Sequence, residues 1–147
     1  MTTLAKQPVA IACIFIWIGL VCGISFLEAW LKFKAPGVTV PIGLGIGRLV
    51  FNALNKVEWV FAVILLINSF LQKDLLLLSP RNLYLLAVVA ILLLQSAWLL
   101  PTLDVRAEKL INNQYIAPSN LHLVFIVAEL AKVGLLFATG ISLLREL

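Results

Sequence analysis

Arg48, Asn52, Asn55 and Trp59 recur at i, i+4, i+7 and i+11, a spacing that stacks them on one face of a helix, with Glu58 about a quarter turn away. His122, Phe125, Glu129, Val133, Leu136 and Gly140 share a face in the same way, and Lys132 follows Glu129 by three residues, within pairing reach on a helix. Glu28 and Gln95 stand near the ends of two other apolar runs. These groups pair ions, exchange hydrogen bonds and hold or pass protons. An ionised side chain in the middle of an apolar span costs about 3 kcal/mol, so each is a candidate site residue and must find a partner or water.

The elements that position them are long apolar segments. The first covers 8–31 and opens on Pro8, which suits a first helical turn; Lys32, Lys34 and the breaker run at 35–37 end it. The second covers 43–71, spotted with polar residues in its first half and then apolar as WVFAVILLINSFL. The third covers 83–100. Pro101 kinks or ends it, and the polar stretch after it, with Asp104, Arg106, Glu108 and Lys109, is compatible with an exposed helical extension. The fourth covers 120–144, with Ser119 or Asn120 to cap it. The expected architecture is an all-α, single-domain, integral membrane four-helix bundle with antiparallel up-down topology. With alternating directions, Glu28, Arg48, Asn52, Asn55, Glu58, Gln95, His122, Glu129 and Lys132 converge on one half of the bundle. The other half reads as a dry apolar plug.

Composition agrees with a membrane setting. Of 147 residues, 63% are apolar and 12% charged, about half the charged share of a soluble domain. Four spans and their connections nearly fill this length and leave no room within it for a soluble catalytic domain. The net charge of +4 comes from 11 basic and 7 acidic residues scattered along the chain, not from a basic run interleaved with aromatics, so nucleic acid is not an expected partner. The lipid bilayer is the expected partner, with other membrane subunits or a second copy beside it. An even number of spans puts both termini on one side. Lys6, Lys73, Arg81 and Arg145 balance Lys32, Lys34, Arg106 and Lys109, four against four, so the positive-inside count leaves that side open. The first segment is too long for a signal-peptide core and lacks a small-x-small cleavage site, so it reads as a retained helix.

Several bland readings compete with chemistry. Cys13 and Cys22, nine residues apart on one helix, are too distant for a disulfide. Gly43, Gly45 and Gly47 lack the preceding strand and following Lys-Ser/Thr of a phosphate loop and instead suit close helix packing, as do Gly19 and Gly23. His122 is the sole histidine, and no ExxH or HExxH pattern occurs, so no metal and no catalytic constellation is expected. Arg48 with Glu28 or Glu58, and Glu129 with Lys132, read first as register-fixing pairs, second as the lining of a polar cavity and last as a subunit interface.

LYLLAVVAILLLQSAWLLPTLDVRAEKL and LHLVFIVAELAKVGLL, with the Trp98–Pro101 exit and a histidine opening the fourth segment, resemble a family of small four-span proteins of unknown function. That resemblance implies the four-helix fold and no activity. A second resemblance is to the membrane-associated eicosanoid and glutathione metabolism family. Arg48, Asn55 and Glu58 match the spacing of that family's glutathione-binding Arg, Asn and Glu, although Trp59 stands where those enzymes usually have tyrosine. The leading expectation is a non-enzymatic membrane protein without a cofactor, either an accessory subunit or a small ligand-binding or transport protein with a one-sided polar cavity. A glutathione-dependent membrane enzyme is the alternative, with glutathione its cofactor.

Overall fold

In the computed structural model, which describes residues 7–71 and 79–145, four helices are long and apolar enough to cross a membrane. They are α1 (Pro8–Lys34), α2 (Val40–Leu71), α3 (Pro80–Ile111) and α4 (Leu121–Leu144). No strand occurs among the described residues. The leucine run at 75–78, which suggests an interfacial segment, lies outside them, as do Lys6 and Lys73.

Helix ends follow local chemistry. Pro80 occupies the first turn of α3, and Ser79 caps it by accepting from the Asn82 amide at 3.3 Å. Its far end closes on Asn113, whose φ of 54° is a left-handed conformation that asparagine tolerates, with the Gln114 amide reaching back to the Lys109 carbonyl at 2.9 Å. Gly37, at φ 81°, makes the turn between α1 and α2.

Helix α3 continues past Pro101, eleven residues beyond its expected end near 100. A proline inside a helix removes one amide donor and crowds the preceding turn. Here a π-helical turn at Gln95–Leu99 comes just before it, and the Thr102 hydroxyl donates to the Trp98 carbonyl at 2.7 Å. The wider turn relieves the crowding, and the hydroxyl satisfies a carbonyl in the disturbed stretch. A second π-helical turn, Cys22–Glu28, lies in α1. Helix α2 also begins earlier than 43, with Pro41 in its first turn.

The core lies where the four helices meet, with α1 packed on α2 and α4, and α3 packed on α2 and α4. Ile14, Trp17, Val21, Ala62, Leu65, Val88, Leu92 and Leu136 fill it. The ring of Phe33 lies against Gly43, where a Cβ would come within 2.1 Å of it, and Gly140 meets Ile14 and Phe15. The outward faces carry Leu49, Phe70, Leu86, Leu130 and similar large apolar residues, while Glu58, Gln95, Glu129 and Lys132 are buried. Large apolar residues thus face outward as well as inward, while ionisable ones are buried, unlike a water-facing bundle.

Candidate functional site

At the centre is the ammonium of Lys132, wholly buried on α4. Its Nζ lies 2.7 Å from Glu129 Oε1, 2.7 Å from Gln95 Oε1 and 2.5 Å from Glu58 Oε1. Gln95 reaches it from the first position of the π-helical turn in α3 and donates Nε2–H to Glu129 Oε1 at 2.6 Å. Ser25, within the π-helical turn of α1, donates its hydroxyl to Glu129 Oε2 at 2.9 Å. Trp17, one of the largest fully buried side chains, donates its indole N–H to Glu58 Oε1 at 2.9 Å. Both π turns therefore coincide with groups that reach the Lys132 cluster, a placement common for such bulges. Every helix contributes at least one side chain.

Arg48 forms a second assembly with residues of the α3 extension. Its Nε donates to Asp104 Oδ1 at 2.7 Å and a terminal nitrogen to Asp104 Oδ2 at 3.1 Å, a two-point grip, with Glu108 3.6 Å away. The sequence suggested Glu28 or Glu58 as its partner. Because α3 continues past Pro101, Asp104 and Glu108 lie beside Arg48 instead, while Glu28 pairs with Lys32 on its own helix at 3.2 Å. Asn52 donates to the Arg48 carbonyl. Asn55 lies between the two assemblies, its Oδ1 accepting from Ser96, whose hydroxyl also accepts from the Trp59 indole at 2.8 Å. Asn55 Nδ2 is the one fully enclosed side-chain nitrogen or oxygen atom without a hydrogen-bond partner among the described residues.

Two cavities lie beside these assemblies. The larger, about 400 Å³, is bordered by Lys32, Arg48, Asp104, Arg106 and His122, with Phe33, Leu103 and Leu110 among its apolar walls. The smaller, about 220 Å³, is lined by Ser25 and Glu129 as well as Phe26 and Trp30. Ala29, Phe51, His122 and Phe125 border both, and the rings of Phe51 and Phe125 meet edge to face at 5.3 Å. Of the cations on the larger cavity, Lys32 and Arg48 have carboxylate partners. Arg106 bonds only the Ala117 carbonyl among the described residues, at 2.6 Å.

Of the residues singled out in the sequence, Glu58, Gln95, Glu129 and Lys132 form one buried network, and Arg48, Asn52 and His122 border the larger cavity. Glu28 and Asn55 stand apart from both cavities' linings. Sequence reasoning missed Trp17, Ser25, Ser96, Asp104 and Arg106. A buried indole needs an acceptor, which was a usable signal for Trp17. Ser25 carried none, because serines in apolar helices most often bond their own backbone.

Compared with known proteins, the chain matches no family model, no curated protein and no solved structure.

Proposed function

We propose that this is an integral, multi-pass membrane protein without catalytic chemistry of its own, binding a small amphipathic anion in a cavity open to one side. The outward apolar faces and the inward charges support the membrane setting, since lipid reverses which groups are stable outside. Cross-helix contacts support alternating helix directions with both termini on one side. Trp17 meets Glu58 and Gln7 meets Asn68; Arg48 meets Asp104 and Ser69 meets Asn82; Ser25 meets Glu129 and Ile14 meets Gly140. In each pair of contacts, one residue number rises as the other falls. The bilayer is the first partner, and the same apolar faces offer a surface to other membrane subunits or a second copy.

The observation that carries the ligand reading is the larger cavity, bordered by three cationic side chains and one carboxylate above apolar walls. Its volume of about 400 Å³ falls within the range of small-molecule sites, roughly 300–1,000 Å³. Arg106, with no carboxylate partner among the described residues, is the cation best placed to take an anionic head group, and the Phe33, Leu103 and Leu110 side suits an alkyl body. The glutathione alternative has less support. Arg48, Asn55 and Glu58 each engage a different partner, and only Arg48 borders a cavity.

The test is thermal unfolding of the purified protein in a neutral detergent, with decanoate or decanol added. Decanoate is expected to raise the melting temperature and decanol is not, and the rise should vanish in Ala107→Trp, which fills the cavity, and shrink in Arg106→Gln. Equal shifts from both amphiphiles, or shifts that survive Ala107→Trp, overturn the reading. Stabilisation by millimolar glutathione that disappears in Asn55→Ala and Glu58→Ala favours the alternative.

A further inference from the structure

The buried cluster contains two carboxyl groups and one ammonium. Glu58, Glu129 and Lys132 are 3%, 1% and 0% exposed, and Gln95 beside them is 1% exposed. The other groups that face them are neutral: Trp17 and Ser25 from α1 and Gln95 from α3. An ammonium has three N–H bonds, and Lys132 has three acceptors, on Gln95, Glu129 and Glu58. It is saturated. With both carboxyls ionised, the cluster would hold one uncompensated negative charge away from water, an arrangement that buried sites avoid by neutralisation.

A metal ion is poorly served as the missing positive charge. Among the described residues no three His, Cys, Asp or Glu side chains gather to hold one, and Lys132 occupies the space between the two carboxyls. The hydrogen bonds indicate where a proton fits. Glu129 accepts on both oxygens, from Lys132 and Gln95 on Oε1 and from Ser25 on Oε2. Glu58 receives Trp17 and Lys132 on Oε1, and no described residue bonds its Oε2.

We propose that the Glu58–Glu129–Lys132 cluster is a binding site for one exchangeable proton, carried on Glu58 Oε2. Glu58 borders neither cavity, so the proton leaves and returns by way of Glu129, which shares Lys132 with Glu58 and lines the smaller cavity with Ser25; that cavity shares Phe51, His122 and Phe125 with the larger one. The route rests on the one-sided cavity of the proposed function; the proton count does not. Removing either carboxyl leaves one carboxylate beside one ammonium, a neutral pair that needs no proton.

Infrared spectroscopy of the unliganded full chain in lipid nanodiscs at neutral pH tests this, by reading the carbonyl stretch of a protonated carboxyl. The wild type should show one such group per chain, and its band should move when bulk water is replaced by D2O. Glu58→Gln and Glu129→Gln should both lose it. Labelling glutamate carboxyls with carbon-13 should shift the wild-type band, a readout that holds even if a variant folds poorly. Absence of the band in the wild type, its persistence in both variants or its indifference to glutamate labelling overturns the proposal. Because no ligand is present, a failed decanoate experiment leaves this result unaffected, and the reverse holds too. A glutamate band that fails to move in D2O overturns the exchange route alone and with it the opening of the cavity to water.

Discussion

The Trp17 indole and the Glu58 carboxyl, 41 residues apart, are joined by a 2.9 Å hydrogen bond in the interior, so the helix that buries the tryptophan also orients the acid. Trp17→Phe keeps the aromatic stack on Phe61, whose centroid lies 6.0 Å away, but deletes the donor. A lost hydrogen bond of this kind costs about 2 kcal/mol. Unfolding of the variant in detergent should show that loss; a stability equal to wild type would mean the bond contributes nothing.

Lys132 touches two carboxyl groups, so either one alone, as a carboxylate, still pairs it. Glu58→Gln and Glu129→Gln should each stay within about 1 kcal/mol of wild type in stability, the scale of a lost neutral hydrogen bond. The double variant strands a buried cation and should lose about 3–5 kcal/mol. Adding Lys132→Met to the double variant should recover much of it, since an apolar side chain of similar length replaces the stranded charge. Melting curves for the four variants beside wild type check this, and single variants as unstable as the double would refute the shared ammonium.

Gly43 and Gly45 make a sharp contrast on one helix. A Cβ at Gly43 would lie 2.1 Å from the Phe33 ring, whereas one at Gly45 meets nothing within 4 Å. Gly43→Ala should destabilise by about 1–3 kcal/mol, the usual range for overpacking. Gly45→Ala should be neutral or stabilising by up to about 1 kcal/mol, because alanine favours the helix. Parallel thermal melts decide it, and a second change, Phe33→Ala, should relieve the first variant only.

Four apolar helices were legible because hydrophobic length survives any detail of packing. The partners of Arg48 were not, because Pro101 reads as a stop in one dimension. Its tolerance depends on a π turn at Gln95–Leu99, and no residue pattern announces such a turn. Regular 3.6-residue spacing placed Glu129 and Lys132 together correctly, since α4 is regular throughout. The same spacing gave no hint of Ser25, because the π turn in α1 rotates the face there. A dry apolar plug in the opposite half calls for hydrogen bonds kept within each helix, as Thr139 does by donating to the Leu135 carbonyl at 2.8 Å. Asn68 and Ser69 instead reach across to Gln7 and Asn82.

The 32 residues of α3 have a geometric consequence. At 1.5 Å per residue the helix is about 48 Å long, against roughly 30 Å for the hydrocarbon of a bilayer. Helix α2 has the same 32 residues, and the Arg48–Asp104 clamp ties the surplus ends together. In the proposed membrane setting the joined ends stand at head-group depth, where Arg48, Asp104 and Arg106 border the larger cavity. For the amphipathic anion proposed above, that placement predicts entry sideways from the leaflet, in two dimensions, tail and head together, without first dissolving in water.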